Sequence, residues 1–112
     1  MLHDRQIALC QRYGVQPSIP AANEKLGWSS TATSTLPLNG LRHPPTSDTC
    51  GWYIWGGGSL SDDDDFFQPL HVAHLARLCP EAELFLGLPP GWRFLLAPGH
   101  LDVWFDPSLL AV

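Results

Sequence analysis

Positive charge is scarce in this chain, and nearly missing from its second half. Six Lys and Arg stand against eleven Asp and Glu among 112 residues, a formal net charge of -5. Up to Ser61 the four bases (Arg5, Arg12, Lys25, Arg42) slightly outnumber three acids, giving +1. From Asp62 onward only Arg77 and Arg93 face eight acids, giving -6. A surface that grips phosphates needs Lys and Arg, so nucleic acid is not the expected partner. A basic protein is, because the acidic half would attract it. Nor does any stretch approach the roughly 18 apolar residues of a membrane helix, so no membrane partner is expected. Asp4 and Arg5 arrive early and no apolar core follows, so no export signal is read at the start. Cysteine is sparse: Cys10, Cys50 and Cys79 form an odd set without a C-x-x-C pair, which fits reduced thiols and a cytoplasmic location.

Several chemistry-bearing patterns are missing as well. Gly56-Gly57-Gly58 lacks the Lys and Ser/Thr of a phosphate loop and the G-x-G-x-x-G spacing, so it reads as a hinge. Ser59, Ser61, His100, Asp102 and Asp106 supply triad residue types without G-x-S-x-G or another recognisable nucleophile setting. No internal repeat is present. No cofactor is implied.

What the chain does have is one acidic run between aromatic words. Residues 51–67 read G-W-Y-I-W-G-G-G-S-L-S-D-D-D-D-F-F. Four adjacent like charges, Asp62, Asp63, Asp64 and Asp65, repel one another and resist burial, so the segment is expected in solvent or against a basic partner. The run lacks the alternating ligands and closing Glu of an EF-hand loop, and neighbouring carboxylates seldom converge on one ion. His71 and His74, three apart with Cys79 beyond, form another weak metal pattern. The five tryptophans default to the core, but a Trp exposed beside carboxylates would suit the centre of an interface. Trp55, next to the glycine hinge, is the candidate.

The 112 residues fit one domain, 1–112, with one core. Leu2 to Tyr13 predicts a helix stopped by Gly14. Leu26 to Thr35 suits a strand or hairpin arm, and Leu36 to His43, with Asn39-Gly40, a turn-bearing segment. Trp52 to Trp55 is the clearest strand; alternation puts Trp52 and Ile54 on one face and Tyr53 and Trp55 on the other, so only one pair needs burial. Phe66 to Cys79 is the clearest helix, with Pro69 in its first turn and Val72, Leu75, Ala76 and Cys79 facing the core. The acid run would then sit at the favourable end of that helix's dipole. Glu81 to Leu86 suggests a further helical turn. Pro89-Pro90-Gly91 marks a tight turn, and Trp92 to Ala97 with Leu101 to Phe105 a hairpin. Together these predict an α+β fold: an antiparallel sheet with one main helix packed on a face, plus an N-terminal helix.

The words Leu38-Asn39-Gly40-Leu41-Arg42-His43-Pro44, Gly51 to Trp55, Phe66-Phe67 with Pro69 to Val72 and His74-Leu75, Leu86 to Leu95, and Asp102 to Asp106 with Leu109-Leu110 resemble the immunity protein 33-like domain. That bacterial family is associated with polymorphic toxin systems. The resemblance runs from about Lys25 to the C-terminus, and it implies a small cytoplasmic, non-enzymatic protein that binds and neutralises a cognate toxin. It transfers no catalytic residues. The expected contact set, read from the residues, is Trp55, Asp62, Asp63, Asp64, Asp65, Asp102 and Asp106. A basic, nuclease-like toxin would fit such a surface, since carboxylates can mimic phosphate charge. The competing readings are an adaptor that binds a protein without inhibiting it, and a small metal-dependent enzyme using His71, His74 or the Asp run.

Overall fold

In a computed structural model that describes residues 1–58, 60–61 and 63–111, six short strands form one mixed sheet. The strands are β1 (Lys25–Trp28), β2 (Leu38–Arg42), β3 (Trp52–Gly56), β4 (Gln68–His71), β5 (Trp92–Ala97) and β6 (His100–Phe105), in the order β4-β1-β3-β2-β5-β6. Helix α1 spans Leu2–Arg12, and two single-turn helices, α2 (Leu75–Leu78) and α3 (Pro80–Glu83), follow β4. Gly14, at φ 71°, ends α1 in the left-handed region that favours glycine.

One face of the sheet holds the main core. Alternation sends Trp52, Ile54, Leu38 and Phe94 to this side, where all four are buried with Leu26, Leu75, Phe85, Leu86 and Leu88. Phe85 stacks on Phe94, centroids 4.4 Å apart. Gly40 lies directly under the Phe94 ring, so any side chain there would displace that ring. The Trp52 indole N–H donates to the Leu86 carbonyl at 2.9 Å.

Arg42 seals this core from the end of β2. Its side chain is 3 % exposed, and among the described residues no carboxylate lies within ion-pair distance. Backbone carbonyls satisfy it instead: Nε donates to Cys50, and Nη1 to Ser18, Leu88 and Leu86. The guanidinium also lies 5.8 Å from the Trp52 ring centroid. Burying a cation is costly unless its donors are used, and here they join three separate chain segments. Burial lowers the Arg42 pKa from its ordinary value, and nearby Cys50 and Glu24 oppose that shift.

Several expectations need correction. The sheet is mixed, because β1 runs parallel to β3 with Gly27 beside Tyr53. The longest helix is α1, and no long helix spans 66–79. The stretch Gln68–His71 is instead strand β4, laddered to β1. Val72 N–H bonds Glu24 O, so by alternation Pro69 faces the open edge, where no N–H is needed. Only the last turn of the predicted helix survives, with Leu75 and Cys79 buried but Ala76 exposed. The acid run therefore precedes a strand, and the dipole argument falls away. Leu36 to His43 contains no turn at Asn39-Gly40; both lie in the central strand β2, where Asn39 Nδ2 donates to the Pro37 and Gly57 carbonyls.

Candidate partner-binding face

The other face of the sheet carries the candidate site. Odd–even alternation sends Asn39 and Leu41 of β2, Tyr53 and Trp55 of β3, Arg93 and Leu95 of β5, and Asp102 and Trp104 of β6 to this side. The connection from β3 to β4 folds back across it. Phe67 packs edge-on against Tyr53 at 5.1 Å and Trp55 at 6.2 Å, and Phe66 lies 4.8 Å from Phe67. From the C-terminal side Leu109 joins Leu41 and Trp55, while His43 Nδ1 lies 2.9 Å from the Leu109 carbonyl. Both faces of β3 are therefore covered, against the expectation that one pair would suffice.

The two phenylalanines pin the acid run. Ser61 Oγ accepts from Asp63 N–H, Asp63 Oδ1 from Asp65 N–H, and the Asp63 carbonyl from Phe66 N–H. Gln68 Nε2 closes the turn on the Asp65 carbonyl at 3.0 Å. Asp63, Asp64 and Asp65 are exposed, and none has an ion-pair partner among the described residues. Asp62 and Ser59 lie outside the described residues.

Asp102 and Asp106 belong to the same side but differ in state. Asp106 is engaged: Oδ1 accepts from the Ser108 hydroxyl at 2.6 Å and backbone N–H at 3.1 Å, and Oδ2 meets Arg93 at 3.2 Å. These bonds, the Ser108 hydroxyl first, hold its carboxyl below the usual carboxylate pKa, while some desolvation opposes them. Asp102 lies 2.9 Å from His100 Nε2, both side chains more than half exposed.

Trp55 is 3 % exposed, so it serves as floor under the acid loop and offers no indole surface. Its Nε1 is buried without a hydrogen-bond partner among the described residues. The outward tryptophan is Trp104, 36 % exposed, with the Arg93 guanidinium 5.2 Å from its ring centroid. Alternation placed Tyr53 beside Trp55 on this face, but sequence reasoning missed Trp104 and Phe67 as features of it. The hairpin register, which sets Arg93 opposite Trp104, was the signal that could have found the first. Two shallow cavities of about 200 Å³ each flank Tyr53 and Phe67, one also lined by Leu41, His43 and Leu60 and the other by Lys25, Gly27 and Asp48.

The alternatives can be placed beside it. A cleft of about 420 Å³ on the main-core face is lined by Leu36, Leu38, Leu78 and Leu96, with Cys79 and Glu81 as its ionisable groups. Burial first, and then a hydrogen bond to Glu81, push the Cys79 thiol up to about 11, which keeps it a neutral thiol and a poor nucleophile. The His71 and His74 rings are 5.5 Å apart, and no group of three candidate metal donors occurs among the described residues. Among those residues, no helix is long and apolar enough to cross a membrane.

A family model for the Imm33-like domain matches residues 5–106, nearly the whole chain. The chain belongs to the Imm33-like family. No curated protein and no solved structure matches it. In this Imm33-like chain the words carrying the resemblance are scaffold words. Leu38 belongs to the main core, Gly40 admits the Phe94 ring, Arg42 is buried at the rim, and Gly51 at φ 101° lies against the His43 carbonyl. Trp52 to Trp55 fill both faces, and Gly91 at φ 94° runs under the Phe105 ring. The acid run sits between such words, on a loop they hold.

Proposed function

We propose that this protein is a non-enzymatic immunity protein that binds and neutralises a cognate toxin through the acid-bearing face. The family match over residues 5–106 is the observation that carries the immunity role. The contact set proposed is Asp62, Asp63, Asp64 and Asp65, with Asp102 beside the exposed Trp104. Trp55 and Asp106 act from beneath: the first supports the loop, and the second anchors Arg93 and the C-terminal turn. Three unpaired carboxylates on a tethered turn suit a basic toxin surface such as a nuclease cleft. Little ordering is required on binding, and opposite charge speeds encounter.

The test is association with the cognate toxin across a salt series. Replacing all four Asp with Asn should slow association by about tenfold or more at low salt and flatten its salt dependence, with a smaller effect on dissociation. An unchanged rate and slope would remove the acid face as the docking surface. Protection of growth on co-expression with the toxin separates immunity from an adaptor that binds without inhibiting.

A further inference from the structure

The two edges of the sheet are built differently. At the β4 edge Pro69 turns its missing N–H outward, which blunts that edge against pairing. At the β6 edge there is no proline, lysine or bulge, and no strand pairs with its outer side among the described residues. Asp106 N–H bonds the Gly91 carbonyl, so alternation turns the backbone groups of Trp104, Asp102 and His100 toward β5. Those of Leu101, Val103 and Phe105 face outward. Leu101 and Phe105 are among the exposed large apolar residues of the chain. A six-residue edge with free backbone groups and apolar side chains is a template for strand addition.

The side chains say which strand fits. We propose that β6 pairs antiparallel with β6 of a second copy, centred on Val103. In that register Val103 meets Val103 of the second copy, and Leu101 meets its Phe105. All are residues whose N–H and C=O face outward, so six inter-strand hydrogen bonds form. On the acid-bearing face Asp102 comes opposite the second copy's Trp104, and His100 opposite its Asp106, which is extended at φ -122° ψ 98°. The neighbouring registers fail on charge. Centring on Asp102 sets Asp102 against itself, and centring on Trp104 sets Asp102 against Asp106; each also makes fewer bonds. Cross-strand like charges destabilise a sheet, whereas apolar and opposite-charge pairs stabilise it. The two-fold axis is normal to the sheet, so both acid-bearing faces point the same way and stay open. The proposal stands apart from the immunity reading.

Sedimentation equilibrium of the purified full chain tests it. The expected result is a dimer at twice the monomer's 12.3 kDa. Val103→Pro removes two of the six bonds while leaving every β5–β6 bond in place, and should weaken self-association about thirtyfold. Circular dichroism on that variant reports whether it still folds. Register is read separately with Val103→Cys and Leu101→Cys under mild oxidation, because the three native cysteines are all buried. Facing Cα atoms at a two-fold centre are about 5.5 Å apart, within disulfide reach, so the first should cross-link and the second should not. A wild-type chain that stays monomeric at its highest soluble concentration overturns the pairing. So does a dimer that a folded Val103→Pro variant leaves intact, or cross-linking at Leu101→Cys in preference to Val103→Cys.

Discussion

The two faces of one sheet use the same strands for different ends. On the main-core face Trp52, Ile54 and Phe94 are fully enclosed by α1 and the segment from Leu75 to Leu88, and Arg42 ties the rim with four hydrogen bonds to backbone carbonyls. On the other face Tyr53, Trp55 and Leu41 are roofed by two loop phenylalanines and one leucine from the C-terminal turn, and the roof carries three exposed carboxylates. Alternation along β2 and β3 forces this division, since each strand must supply a layer to both sides. The sealed face holds the fold and the roofed face presents a loop. Changes on the first should cost stability, and changes on the second should alter what the loop can do.

The largest expected effect is at Arg42. Arg42→Met leaves buried carbonyls without donors and should destabilise by roughly 3–5 kcal/mol, measured by urea unfolding. A loss under about 1 kcal/mol would mean the carbonyls are satisfied by water and the face is not sealed. Next, Phe94→Ala should cost about 3–5 kcal/mol and Phe67→Ala about 1–3 kcal/mol, because Phe67 is only partly buried. Equal losses would erase the distinction between the two faces. Amide exchange should rise across 60–67 in Phe67→Ala while the Trp52–Phe94 region keeps its protection.

A smaller effect is expected with pH. The Cys79 thiol is raised from 9.0 to about 11 in the fold, so the unfolded chain loses that proton first. Its contribution is complete below about pH 9 and disappears as pH rises through about 11. Stability should fall across that window, and Cys79→Ala should flatten the fall; the buried Cys10 and Cys50, also raised, add to it in the same direction. Last, neutralising Asp63, Asp64 and Asp65 should shift stability by no more than about 0.5 kcal/mol, as expected for exposed groups.

The legibility of this chain followed locality. Helix α1, the strand at Trp52–Trp55 and the hairpin β5–β6 could be read because each is set by residues near in sequence: a glycine stop, an aromatic β-branched run, a Pro98-Gly99 turn. Strand β4 could not, because its partner β1 lies some forty residues earlier and its own residues have helical spacing. Asn39-Gly40 carried a turn signal that the fold overrides, since Asn39's amide finds carbonyls and Gly40's bare Cα admits the Phe94 ring. At the site, the exposure of Asp63, Asp64 and Asp65 followed from charge alone. The burial of Trp55 did not, because what covers it is a loop whose return path no local pattern announces.

The central claim is that the roofed, acid-bearing face receives the toxin. Hydrogen–deuterium exchange of this protein alone and with its cognate toxin tests it most directly. The account predicts new protection at 60–67 and 100–106, with α1 and the cleft around Leu36 and Leu78 unchanged. Protection confined to α1 or to that cleft, with the acid loop exchanging as before, would contradict it.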